Sequence, residues 1–537
     1  MNISLFHVAR FVILWTAIWM GLSGFQAIAQ EAPARADMSQ QWQHADAAQD
    51  GMIGTSAARA YSELLAGRTP QPVVVAIIDS GTEVSHPDLD GNIWVNTDEI
   101  AGNGVDDDRN GYVDDIHGWS FISGPGGDVV HDNLEFTRLY AALYKLFNGK
   151  TEEQVSKSER ADFRRYISMK ADYENRLAEA EQQREEYNQI VQFHALADGL
   201  IKTKLGKDEY SLEDLALITP EDDLMNASLD FMRAVFEDDL MAQLEDYRQH
   251  IESQFEYSYN LDFNPRPMVG DRYEDTRERI YGTPRMHGPK AEHGTHVAGI
   301  VGAERNDFGM DGICPSCQLM ILRCVPDGDE RDKDVANSIR YAVDNGARII
   351  NMSFGKSYSP HKDVVDEAVR YAESKGVLII HAAGNEGKNV DKKDNFPNAR
   401  YEKGGRCKTW IEVGASTASA QQLAADFSNY GKKSVDIFAP GVAVYSTMTE
   451  ASYKLESGTS MASPVVAGVA GALLAYFPEL SAAEIRKILL ASGTDFSKQK
   501  VTLPGSTEEV AFGTLSRTGR VINLYEAVKL AQEKAGK

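Results

Sequence analysis

The chain has 537 residues, 42% of them apolar, and a formal charge of −25. It is long enough to bury a large core, in one big domain or in two to four smaller ones. Its charge repels a nucleic-acid backbone and an anionic membrane surface, so neither is expected as the main partner.

Residues 1–29 hold a single cation, Arg10, an apolar run from Phe11 to Leu22 and a small-residue ending, Ala27-Ile28-Ala29. That is the pattern of a cleaved secretory signal. The run is shorter than the roughly 20 residues of a membrane span, and no cysteine lies near the cleavage point. The expected product is a protein in the periplasm or the medium with no stable membrane anchor. In such a compartment the four cysteines can form disulfides. Cys314-Pro-Ser-Cys317 has no second pair for zinc and no thioredoxin-like surroundings, so a small structural disulfide is expected there. Three full pairings of the four cysteines remain open.

From about Gln71 to Asp90 the chain reads as a buried β-branched strand closed by Asp79-Ser80-Gly81. The run Asn103–Asp115 then places Asp106, Asp108, Asn110, Gly111 and Asp114 at the oxygen-ligand and turn positions of a calcium loop. His117 stands where such a loop has Glu, and a solvated acidic turn is the other reading. From about Asn133 to Tyr259 the texture changes. Residues 151–260 carry 26 acidic and 12 basic side chains and one proline, with apolar residues three and four apart. This predicts two to four helices. From Glu292 onward helical stretches alternate with apolar runs such as RIINMSFG and GVLIIHAAGNEG, the signature of a parallel α/β sheet. Ligands of such sheets sit at the carboxyl ends of the strands, where Asp79, Ser353 and Asn385 fall.

Gly458-Thr459-Ser460 reads as a tight turn into a buried helix, with Ser460 at its N-terminus. A serine there is commonly just a cap. A nucleophile also needs a base and an orienting carboxylate, which His293 in EHGTHVAG and Asp79 can supply. Singly these motifs say little, but IIDSG, HGTHVAG, AAGNEG and SGTSMASP in this order resemble the subtilisin-like serine peptidases (subtilases, S8 family). The resemblance covers about residues 42–100 and 288–530. An α/β-hydrolase fold would need the order Ser, acid, His, which this chain lacks.

The resemblance implies a subtilisin-like parallel sheet with helices on both faces, interrupted by a mostly helical acidic insertion. The expected boundaries are a signal at 1–29, the domain's first part at 30–132, the insertion at 133–280 and the second part at 281–537. It also implies an endopeptidase acting on proteins or peptides. Ser460 would attack the scissile carbonyl, His293 would relay the proton, Asp79 would orient the imidazole, and Asn385 with the Ser460 N–H would hold the oxyanion. Ser353-Phe354-Gly355 and Ala382-Ala383-Gly384 would line the cleft and pair with an extended peptide. Lys356 and His381 depart from the small residues usual at those places, and His381 also reads as a packed core histidine. Structural calcium is the implied cofactor, with Asp88 and Asn306 as ligands. Asp79 and His293 are 214 positions apart, whereas His293 and Ser460 are 167 apart, so the insertion falls between the first two motifs. It is expected either to cap the active site, which at the extreme would leave a silent peptide-binding scaffold, or to point away from it. Only about forty residues lie between Ala29 and the Asp79 strand, too few for the family's usual inhibitory propeptide.

Overall fold

A computed structural model describes residues 35–237 and 240–535; the expected signal at 1–29 lies outside them. A helical unit, Phe136–Phe263, interrupts a larger unit formed, among the described residues, by 35–135 and 264–535.

The helical unit is built from α1 (Glu135–Phe147), α2 (Arg160–Leu205), α3 (Asp223–Glu237) and α4 (Leu240–Ser253). With 46 residues, α2 is about 70 Å long at 1.5 Å per residue. It ends at Gly206, whose φ of 67° is the left-handed conformation of a helix stop. Its burial is local: Phe163, Tyr166 and Met169 near its start, then Ala197 and Ile201, which pack with Leu229, Phe231 and Met232 of α3. Between these, Ala180 is also buried.

This compact unit is narrower than the expected insertion of 133–280. Residues 264–280 belong to the larger unit, tied to it by the charges of Arg266, Asp271 and Glu278. Arg266 bonds to Asp271 at 2.7 Å and to Asp334 at 2.6 Å, and Lys333 meets Asp271 and Glu278 at 2.7 and 2.9 Å.

The larger unit is organised on a nine-stranded sheet. In chain order its strands are β1 (Val73–Asp79), β2 (Gly118–Ser120), β3 (Cys317–Arg323), β4 (Ile349–Met352), β5 (Leu378–Ala382), β6 (Trp410–Ser416), β7 (Ile437–Pro440), β8 (Thr494–Asp495) and β9 (Arg520–Val521). Across the sheet they run β8-β9-β7-β6-β5-β4-β1-β3-β2. Every neighbouring pair is parallel except the β8–β9 edge. Alternate side chains of β1 feed two cores. Val75 and Ile77 pack with α5 (Glu292–Gly302) and α8 (Thr459–Tyr476), whereas Ala76 and Ile78 pack with α6 (Asp332–Asp344) and α7 (Lys362–Ser374). Helices therefore cover both faces, as expected for near-continuously apolar parallel strands. Helix α8 is long and apolar enough to cross a membrane, but 89% of it is buried in the protein. Cys314 and Cys317 form a disulfide, and Cys324 and Cys407 are buried thiols.

Candidate active site

The site is assembled where β1, α5 and α8 end or begin. Asp79 closes β1 with its carboxylate buried, and its Oδ1 accepts the Ser80 N–H and meets His293 Nδ1, both at 2.7 Å. His293 lies on the first turn of α5. Gly294 lets that turn come close, since a Cβ there would lie 2.0 Å from the Gly81 carbonyl oxygen and 3.2 Å from Asp79 Cβ. Asp79 accepts at Nδ1, so that nitrogen carries the hydrogen and the neutral ring keeps its lone pair on Nε2. Burial works against protonating the ring. The His293 side chain is 42% exposed, so this partial desolvation is outweighed by the charge and hydrogen bond of Asp79, helped by Glu456, which hold the pKa above its ordinary 6.5. His296, three residues on in HGTHVAG, has a different role. It is buried, its Nε2 lies 3.1 Å from the Lys454 carbonyl oxygen, and burial pushes its pKa down to about 3.

Arg323 escaped the sequence reading. It is the β3 partner of Asp79, donates Nε–H to the Ser80 carbonyl at 3.1 Å, and is fixed from the other side by Asp128 at 2.7 Å. It braces the turn that presents Asp79. In the sequence it is only the polar end of an apolar run.

The hydroxyls of ESGTSMASP have separate jobs. Ser457 Oγ accepts the Ala443 N–H, and Ser463 Oγ donates to Asn351 Oδ1. Thr459 directs Asn385: its N–H and Oγ1–H both donate to Asn385 Oδ1 at 2.8 Å, while Oγ1 accepts the Gly384 N–H at 3.0 Å. With Oδ1 committed, the Asn385 amide nitrogen faces the Gly458 turn. A Cβ on Gly458 would lie 3.4 Å from Asn385 Nδ2 and 3.5 Å from the Ser460 nitrogen, so the two N–H groups converge on one small space. Ser460 Oγ itself donates to the Ser353 carbonyl at 3.0 Å, and no hydrogen bond joins it to His293 among the described residues.

Both walls named from the sequence flank this point. Ser353 Oγ donates to the Ser460 carbonyl at 2.9 Å and accepts from Asn351. Phe354 and Gly355 continue that wall, and Ala382, Ala383 and Gly384 form the other. Asn395, also missed, joins the two. Its Nδ2 donates to the Ala383 carbonyl at 3.2 Å, and its Oδ1 lies 2.6 Å from where a Gly355 Cβ would be. Both departures from the family pattern point inward. His381 is buried, with Nδ1 3.0 Å from Glu412 Oε1, and Lys356 is buried among acids.

The proposed metal ligands separate. Asp88 is buried: its Oδ2 accepts from the Met310 N–H and the Tyr453 hydroxyl, while its Oδ1 is buried without a partner. Burial raises its pKa. Asn306 donates Nδ2–H to the Pro87 carbonyl at 3.4 Å, beside Asp88, and its Oδ1 accepts the Phe308 N–H at 3.5 Å with one lone pair, which leaves the second for a cation. An orphaned carboxylate oxygen among oxygen donors fits a hard cation such as calcium. In the acidic loop, oxygens of Asp106 and Asp108 come within 4.8 Å of one another and of Glu99, which the sequence reading did not include. Asp114 and Asn110 are bonded to this group as donors and do not face it with oxygens: the Asp114 N–H donates to Glu99 Oε2 at 3.1 Å, and Asn110 Nδ2 donates to Asp108 Oδ2 at 3.0 Å. Asp114 is turned to the N–H groups of Asn103 and Gly104, and Asn110 spends its amide on Asp108 and Asp115.

A doubly covered parallel sheet, with Asp and His meeting at its carboxyl edge and a serine opening a buried helix, defines the class of subtilisin-like peptidases. This chain belongs to the subtilase family, whose model matches residues 71–513. It is 43% identical over 183 residues to the thermophilic serine proteinase of Bacillus sp. (strain AK1), 34% of this chain and 42% of that one. It is 35% identical over 204 residues to subtilisin DY of Bacillus licheniformis, 38% of this chain and 70% of that one. With subtilisin E of Bacillus subtilis (strain 168) it shares 36% over 207 residues, 38% of this chain and 51% of that one. The matched part thus spans about half the length of most of these relatives. Among solved structures, a cold-adapted subtilisin-like serine proteinase aligns at 30% identity and a TM-score of 0.33, over 41% of this chain and 73% of that one.

Proposed function

We propose that the protein is a serine endopeptidase that hydrolyses peptide bonds of protein or peptide substrates through an acyl-enzyme. The observation that carries this reading is the 2.7 Å contact of His293 Nδ1 with Asp79 Oδ1, set beside two N–H groups converging next to Ser460. Asp79 holds the imidazole in the tautomer that leaves Nε2 basic. Ser460 Oγ leaves the Ser353 carbonyl by rotating about its Cα–Cβ bond, gives its proton to His293 and attacks the scissile carbonyl. The negative oxygen that forms is received by the Ser460 N–H and the Asn385 amide. His293 then returns the proton to the leaving amine, and the same steps with water release the acid. The Ser353–Gly355 edge, its Ser353 carbonyl freed when Ser460 Oγ turns away, takes up the substrate backbone as an added strand. Calcium held by Asp88 and Asn306 would stiffen the loop after α5 and takes no part in the chemistry. Export to the periplasm or the medium is supported by the leader pattern and by the Cys314–Cys317 disulfide.

The test is fluorophosphonate labelling of protein lacking residues 1–29. Labelling of the wild type that disappears in Ser460→Ala and in His293→Ala is the expected result. A folded wild type that takes no label, or a Ser460→Ala variant that still does, would refute the assignment.

A further inference from the structure

The cleft wall Ser353–Gly355 is only three residues long and ends in a glycine, so something must hold it in line. Residues two apart in an extended segment face the same side. Lys356 exchanges backbone hydrogen bonds with Phe396 at 2.9 and 2.8 Å, which fixes the rear side of the segment. Ser353, whose carbonyl accepts from Ser460 Oγ, and Gly355 face the front. Among the described residues the Gly355 N–H and C=O make no hydrogen bond, so the front edge is open for a peptide.

The Lys356 side chain is 1% exposed. Its ammonium bonds to Glu135 Oε2 at 2.9 Å, Asp332 Oδ1 at 2.8 Å and the Glu330 carbonyl at 2.6 Å. These three acceptors match the three donors of an ammonium. Asp332 opens α6 and is itself held by the Ser359 hydroxyl and the His361 N–H. Glu135 is the last residue of the larger unit before the chain passes into the helical one. A buried ammonium is tolerated only when paired in this way, and its geometry is correspondingly fixed.

We infer that Lys356 is a positioning residue for substrate: by anchoring the end of the Ser353–Gly355 wall to α6 and Glu135, it keeps the open edge straight for the backbone of a peptide that extends beyond the scissile bond. The inference rests on the peptidase reading above. Lys356 touches neither the reacting atoms nor the residues that hold the oxyanion, so its effect is confined to substrates long enough to use the edge.

The experiment compares p-nitrophenyl acetate, too short to reach the edge, with a tetrapeptide p-nitroanilide, after subtracting the rate of Ser460→Ala. In Lys356→Met the acetate kcat/KM is expected to stay within about twofold of wild type. The tetrapeptide KM should rise about tenfold, the worth of one or two main-chain hydrogen bonds, with kcat nearly unchanged. Lys356→Arg, which keeps charge and donors, should restore KM. If Lys356→Met does not fold, Lys356→Met/Glu135→Gln, which removes one of the negative charges facing position 356, is compared in the same way. An equal fall on both substrates, or an unchanged tetrapeptide KM in a folded variant, overturns the inference. A folded wild type inert toward both substrates overturns the peptidase reading and this inference with it.

Discussion

Glu330 precedes α6 and is 2% exposed. Burial, opposed by the Lys356 ammonium, pushes its carboxyl up from 4.5 to about 8. The folded protein therefore keeps a proton that the unfolded chain releases near pH 4.5. Between these two values the native state binds the extra proton, so this group makes stability fall as pH rises, by about 1.4 kcal/mol per pH unit. Above about pH 8 both states are ionised and the loss levels off at about 4–5 kcal/mol. Glu330→Gln removes the titration and keeps the shape. In a Ser460→Ala background, chosen to prevent self-digestion, urea unfolding should find the Gln variant close to its parent near pH 4.5 and more stable by about 4–5 kcal/mol at pH 9. The difference should grow steadily in between. A difference independent of pH would refute the reasoning, because a carboxyl that ionises equally in both states cannot produce a slope.

Three other outcomes follow from the site. Asp79→Asn should lower kcat by about 10⁴, the cost of losing the imidazole tautomer in a triad. Because Asp79 raises the His293 pKa, the acid limb of kcat/KM should lie above pH 6.5 in the wild type and move to lower pH in the variant; an unmoved limb would assign it to another group. Gly458→Ala places a methyl 3.4 Å from Asn385 Nδ2 and 3.5 Å from the Ser460 nitrogen, where the oxyanion must sit. A loss in kcat of about 10²–10³ is expected, a size borrowed from removal of the equivalent donor in subtilisin itself, and burst kinetics would show whether acylation is the step affected. A chelator should lower the melting temperature of the wild type, by about 1 °C for each roughly 1 kcal/mol of binding lost, because a chain of this length has an unfolding entropy of about 1 kcal/mol/K. Asp88→Asn should already melt lower and ignore the chelator; a wild type indifferent to chelation would make Asp88 a merely buried acid.

The parts of this site legible in the sequence share a local signature. Asp79 ends a β-branched run, His293 and Ser460 open small-residue helices, and Asn385 follows an apolar strand, so each could be placed from neighbours within one element. Both sheet faces were legible for the same reason, because buried parallel strands and amphipathic helices differ in period. What could not be read depends on partners distant in sequence. Glu99 joins Asp106 and Asp108 only after its loop closes, and Asn395 bridges two walls from the loop after β5. Among the cysteines, the expected Cys314–Cys317 disulfide is present, whereas the fate of Cys324 and Cys407, which stay buried thiols, depends on distances that spacing does not fix.

Charge was the least legible property, because composition does not distinguish a solvated lysine from one buried among acids. Around the insertion this ambiguity hides a pattern. The chain leaves the larger unit after Glu135 and returns at Asn264. Before leaving, Asp132 pairs with Arg331 at 2.7 Å and Glu135 pairs with Lys356 at 2.9 Å. After returning, Arg266 pairs with Asp334 at 2.6 Å, and Lys333 meets Asp271 and Glu278. Nearly all of these bonds converge on residues 330–334 or on Lys356, which is itself bonded to Asp332. Buried ion pairs add little net stability, because desolvation offsets their attraction, but breaking one leaves an uncompensated charge. They therefore specify where a chain must pass more strongly than they stabilise it. A domain that accommodates well over a hundred extra residues between its Asp and His motifs needs that specification at both crossings. The acids and bases flanking the insertion supply it.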